Sequence, residues 1–254
     1  MKTPEPDIFF IGFLSTFPDG LKRFLPAVGA ACLCIFAGLG FAISAVTDDP
    51  GDGRFRGDLG RQELVGIVQA SPYPTLWITE GTAAFPPGHV IMLSGAGKRG
   101  AMAAEAFDGR LTKVQGLALT RGDLDMLQLA GGRRKPVAAM GDAPDLPADV
   151  PLGRWRLTGE ICDGKCLAGA MRPGRGIAHK ACANLCLVGD IPPVLALTGA
   201  IEGSRFMLIG GPGGTPMPPA LLNETAALIE IEGMVLRRGD LLILHADPAT
   251  LKVL

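Results

Sequence analysis

The sequence predicts a mainly β protein: one membrane-crossing helix near the N-terminus, then two tandem five-stranded barrels, the second interrupted by a cysteine-rich insertion. Three observations predict it. An apolar run covers residues 24–46, a set of short strand-like segments occurs twice in the remaining chain, and four cysteines fill the length by which the second copy exceeds the first.

The apolar run contains no ionisable side chain except the thiols of Cys32 and Cys34. Its length suits a hydrocarbon core about 30 Å thick. Lys22 and Arg23 precede it and Asp48, Asp49 and Asp52 follow, so the positive-inside rule predicts a cytoplasmic N-terminus and a periplasmic bulk, a single-pass topology in a bacterial inner membrane. Ala42-Ile43-Ser44 is a tolerable cleavage site for the rival signal-peptide reading, but the run is longer than an ordinary signal core and begins late. Cys32 lies early in the run rather than after it, against lipoprotein processing. Before the run, residues 1–23 form a stub in which Phe9, Phe10, Phe13 and Phe17 accompany Ile8, Ile11 and Leu14. Such a segment suits either the headgroup region of the membrane or a docking contact with other subunits of a larger membrane complex.

The duplication sets the architecture of the rest. Leu64-Val65-Gly66 returns as Leu157-Thr158-Gly159, and the segment from Gly116 through Arg121-Gly122-Asp123 returns from Gly233 through Arg238-Gly239-Asp240. Each Arg-Gly-Asp reads as a hairpin turn in which glycine supplies a positive φ. Within the first copy the strands are expected at 63–69, 75–79, 89–94, 111–119 and 124–129, with helix formers at 101–107 between the third and fourth. Five short strands with a helix in that place is the order of an OB-like Greek-key barrel. The barrels are expected at 60–130 and 152–254, joined by a linker containing Pro136, Pro144, Pro147 and Pro151.

The first strands of the copies are offset by 93 positions and the closing hairpins by 117. The difference is the cysteine segment within 160–190, inserted after the first strand of the second barrel. It holds Cys162, Cys166, His179, Cys182 and Cys186. A short helix would place His179, Cys182 and Cys186 on one face. In an oxidising compartment four cysteines form two disulfides, and a loop with little core gains most from such staples. Four thiolates, or three with His179, equally form a site for zinc, which takes such donors tetrahedrally, or for copper as Cu⁺, which is soft. Both readings stand at this point. The spacing of the pairs is not that of thioredoxin-type motifs or of haem attachment.

The run Gly159 to Cys166, through Met171-Arg172-Pro173-Gly174 and His179-Lys180-Ala181-Cys182, to Cys186 and Ile191-Pro192-Pro193, resembles a motif of uncharacterised membrane-anchored bacterial proteins associated with respiratory and other periplasmic redox systems. The resemblance covers about 35 residues and implies a setting, not a reaction.

Other classes are disfavoured. Lys plus Arg number 24 against 25 Asp plus Glu, a net charge of -1, and Tyr73, Trp77 and Trp155 are too few to form stacking platforms, so no nucleic acid is expected as a partner. Residues 95–100 have glycines and Lys98 but not the spacing of a phosphate loop. His89 and His245 stand alone at strand positions without a nucleophile signature. The expectation is a non-catalytic accessory subunit of a periplasmic or respiratory redox membrane complex; the alternative is a copper or zinc carrier or a thiol redox protein.

Overall fold

The computed structural model describes residues 18–46, 51–131 and 136–254; the phenylalanine-rich stub up to Phe17 lies outside them. The chain divides into a unit ending at Asp49 and a second unit running from Pro50 to Leu254. The first contains α1 (Asp19–Val46), an apolar helix. At 1.5 Å per residue it is about 42 Å long, and its Phe24, Leu33, Phe36, Ile43 and Phe41 side chains are all exposed. It starts one turn before the apolar run, carrying Lys22 on the helix, where its ammonium meets Asp19 at 2.7 Å. Length and hydropathy fit either a single-pass anchor or a signal sequence.

In the second unit the strands are β1 (Arg54–Phe55), β2 (Arg61–Gln69), β3 (Thr75–Glu80), β4 (Val90–Ser94), β5 (Leu111–Arg121), β6 (Leu124–Leu129), β7 (Val137–Gly141) and β8 (Val150–Asp163). A single turn of helix, α2 (Met102–Glu105), falls between β4 and β5. Beyond β8 come α3 (Lys180–Val188), β9 (Pro193–Ile201), β10 (Ser204–Gly210), β11 (Leu228–Arg238) and β12 (Leu241–Val253). The ring β2-β3-β4-β6-β5 closes because β5 pairs with β2 on one side and β6 on the other. The ring β8-β9-β10-β12-β11 closes identically. In each, the third and fifth strands run parallel, β4 with β6 and β10 with β12, and the other neighbours are antiparallel. That is the OB-fold order, twice.

Four glycines show how closely the copies correspond. A Cβ on Gly66 or Gly159, or on Gly116 or Gly233, would run into a neighbouring-strand carbonyl, that of Trp77, Ala196, Gln128 or His245 respectively. Both members of each pair sit at the same place in the ring, where the strand bends tightly against its neighbour and no side chain fits. The segment read as a proline linker contributes more than expected. Val137 is buried, and its strand β7 adds to the free side of β5, with Val137 opposite Val114.

The barrels pack on each other. One cluster joins Leu157, Ile161, Val194, Phe206 and Ile231 of the second barrel to Met92, Leu119, Leu124 and Met126 of the first. The Arg238-Gly239-Asp240 turn fastens this contact. Arg238 is buried and donates to Asp149, to the Ser71 carbonyl at 2.9 Å and to Thr75 Oγ1. Asp240 accepts the Val90 N–H at 2.9 Å and meets His89 Nδ1 at 2.5 Å. Gly239, at φ 58°, would place a Cβ 2.8 Å from a methyl of Val90. The other ring nitrogen of His89 faces Asp125 at 3.3 Å. Burial alone would depress the imidazole, but the two carboxylates outweigh it and hold its pKa at about 9.

The sign of that shift fixes the pH dependence. A value raised from 6.5 to about 9 gives stability that is complete below pH 6.5 and lost as pH climbs through 9. Urea unfolding across that window should show the decline, and Asp240→Asn should lower stability by about 1–3 kcal/mol at neutral pH and flatten the decline. Gly159→Ala and Gly233→Ala should each cost about 1–3 kcal/mol through forced strand separation, read as a fall in melting temperature.

Candidate metal centre

The insertion leaves the second barrel after Asp163 and returns at Pro193, and these two residues face each other across the β8–β9 ladder. A bond from the Gly164 N–H to the Pro192 carbonyl at 2.9 Å closes the neck. Between them, residues 166–170 form one wide π-helical turn, 177–179 a 3₁₀ turn, and α3 follows without a break. At Gly169, φ is 134° and a Cβ would overlap the backbone of Arg54, so glycine is required for β1 to cross this turn.

Asp163 organises the donors. Its side chain is wholly buried, accepts the Cys166 N–H at 2.8 Å through Oδ1 and meets His179 Nε2 at 3.0 Å through Oδ2. A carboxylate bonded to one ring nitrogen fixes the imidazole and leaves Nδ1 as its free donor atom, the arrangement that supports metal-ligating histidines. Cys166, His179 and Cys182 each bring one ligand atom within 4.8 Å of the others, and Asp163, Cys166 and Cys186 do the same. For comparison, tetrahedral Zn–S bonds of about 2.3 Å set sulfurs about 3.8 Å apart. Each triad is compact enough to surround one ion, and Cys166 is common to both.

Cys162 is elsewhere. It is still on β8, opposite Val194, and packs in the barrel core with Leu195 and Leu208. Its Sγ is 3.5 Å from Glu160 Oε1. Burial, then the nearby Glu160 charge, push this thiol well above the ordinary cysteine range. The expected pairing of two cysteine pairs is thus corrected: strand alternation keeps Cys162 with the barrel, while Cys166, past the turn, joins Cys182 and Cys186. All six cysteines are free thiols, and among the described residues no disulfide staples the insertion.

Cys166 and Cys186 are neighbours: the Cys186 contact, then burial, raises the Cys166 thiol, whereas the Cys166 contact, aided by Lys98, lowers that of Cys186. Lys98 comes from the first barrel. Its ammonium lies 2.8 Å from Cys182 Sγ, 3.6 Å from Cys186 Sγ and 3.3 Å from the Cys182 carbonyl, and the Cys182 bond is the main reason its pKa is raised. Lys165, buried within the insertion, reaches the other way to the carbonyls of Gly95 and Gly97 at 2.7 Å each. Burial lowers its pKa. The loop 95–100 is thereby clamped to the insertion, and Gly100 N–H adds a 2.6 Å bond to the Gly189 carbonyl. A cavity of about 230 Å³ opens beside the thiols, bounded by Phe55, Gln128, Met171 and the two lysines.

Sequence reasoning located Cys166, His179, Cys182 and Cys186 and missed Asp163, Lys98 and Lys165. Asp163-Gly164 reads locally as a turn, and the 95–100 glycine loop reads as a connection. Only the tertiary fold brings them together. No protein-family model, curated protein or solved structure matches this chain.

Asp163→Asn, which keeps the volume but loses the charge, should weaken zinc binding by about 10–100-fold. Cys162→Ala should leave the bound stoichiometry unchanged. Competition titration with a chromophoric chelator measures both.

Proposed function

We propose that the chain is a membrane-anchored, non-catalytic accessory subunit of a redox membrane complex, bearing a soft-metal site made by Cys166, His179, Cys182 and Cys186. One observation carries the metal assignment: ligand atoms from two separate segments of the insertion meet in two overlapping triads sharing Cys166. Three thiolates and one imidazole suit Zn²⁺ in tetrahedral coordination, and the three thiolates suit Cu⁺. Thiolate ligands bring negative charge into a partly buried place, and Lys98 and Lys165 offset it. The periplasmic setting and the redox complex rest on the charge asymmetry around the apolar helix and on the motif resemblance. The OB-like barrels serve here as rigid carriers of the loop.

A second reading has its own observation. The adjacent thiols of Cys166 and Cys186, with the Lys98 ammonium 3.6 Å from Cys186 Sγ, are an arrangement suited to thiol–disulfide exchange. Metal analysis and thiol titration of the detergent-purified full chain separate the two. The metal reading expects one equivalent of zinc or copper per chain, lost with Cys166→Ala or Cys182→Ala. Metal-free protein in which Cys166 and Cys186 cycle between dithiol and disulfide overturns it in favour of exchange.

A further inference from the structure

Among the described residues, nothing packs against the second face of the helix that carries the donors. His179, Ala183, Cys186 and Leu187 are buried toward the site, whereas Ile177, Leu185 and Val188 are 70%, 62% and 70% exposed, and Ala181 is exposed between them. Positions 177, 181, 185 and 188 follow one another at helical spacing, so these four make a continuous apolar stripe. Met171, 47% exposed, belongs to the same insertion. So do the cations Arg172, Arg175 and Lys180. An apolar stripe accompanied by cations has the composition of an element that lies in the headgroup region of an anionic membrane.

Chain connectivity says which surface is at hand. The residues with which the barrel unit begins run directly along the insertion: Arg172 pairs with Asp52 at 3.5 Å, and a Cβ on Gly53 would sit about 2.5 Å from the Ala168 backbone. Only residues 47–50 lie between α1 and Gly51, and five peptide steps cover at most about 18 Å however they are arranged. The insertion is thus the part of the barrel pair most directly tied to a helix long and apolar enough to cross a bilayer.

We infer that the stripe Ile177, Ala181, Leu185 and Val188 docks on the bilayer surface, so that the thiol–imidazole site is held next to the membrane. This rests on α1 being a retained anchor. The occupant is lipid: the tether is short enough to confine the insertion near the headgroups, and its cations complement an anionic surface.

The test uses the full chain reconstituted in anionic phosphatidylglycerol bilayers containing lipids brominated near the headgroup. Leu185→Trp should lose at least about half of its added fluorescence to bromine, and Val188→Trp the same, while Ala200→Trp, exposed and seven residues along β9 from the neck at Pro193, loses little. Equal quenching at Leu185 and Ala200, or none at Leu185 and Val188, overturns the inference, and a dimeric mass under those conditions assigns the stripe to a second copy. Intact mass measured on the same sample distinguishes the failures: loss of residues through α1 removes the anchor on which the inference depends, whereas an intact chain with unquenched tryptophans refutes the docking itself.

Discussion

The buried ammonium of Lys165 is the contact on which the rest of this arrangement depends. A lysine that deep is tolerated only if its donors are satisfied, and they are satisfied by two carbonyls of the other barrel, Gly95 and Gly97. Bare backbone oxygens at that loop need glycine and alanine around them, which is the composition of Gly95-Ala96-Gly97. With the loop seated, Lys98 at its exposed tip places its ammonium beside Cys182 and Cys186. A strand-to-strand loop of the first barrel thereby becomes a wall of a site whose donors all belong to the second.

Two further contacts reinforce the same seam from the opposite side. Arg238 and Asp240, from a turn that in the first copy points to solvent at Asp123, both reach first-barrel atoms. The duplicated Arg-Gly-Asp therefore has one structural job in common, the positive-φ glycine at 122 and 239, and one that only the second copy performs. The seam is polar at its edges and apolar within, where Met92 and Met126 meet the barrel core that also receives Cys162. Barrel separation would expose methionines and strand a buried cation together, which makes the two barrels one cooperative body.

The strands, their order and the place of the insertion were legible because they depend on local pattern and on comparison of one half of the chain with the other. The glycine pairs 66/159 and 116/233 are a clear instance: the offsets of 93 and 117 already identify them, and their backbone contacts explain why neither copy could change them. The strand from the proline-containing segment was not legible, because five residues ending in Ala-Ala-Met-Gly carry little β pattern and are strands only by virtue of the vacant side of β5. In the site, cysteine and histidine advertise themselves, but which of four thiols stay together is decided by the side of a strand on which Cys162 falls. Asp163 is set apart by burial, and the two lysines depend on contacts 68 to 88 residues apart in sequence, which spacing does not encode.

The closed neck of the insertion has an evolutionary meaning. Because Asp163 and Pro193 are already partners in the ladder, the barrel sees the excursion between them as an ordinary tight connection, and the cost of lengthening a loop whose ends are pinned grows only logarithmically. A duplicated barrel could thus acquire a thiol–imidazole cluster without renegotiating its core, leaving the other copy to adapt only the single glycine loop that receives it. The asymmetry of the pair is recorded in this division: one copy carries the donors and Lys165, and the other contributes the Lys98 ammonium.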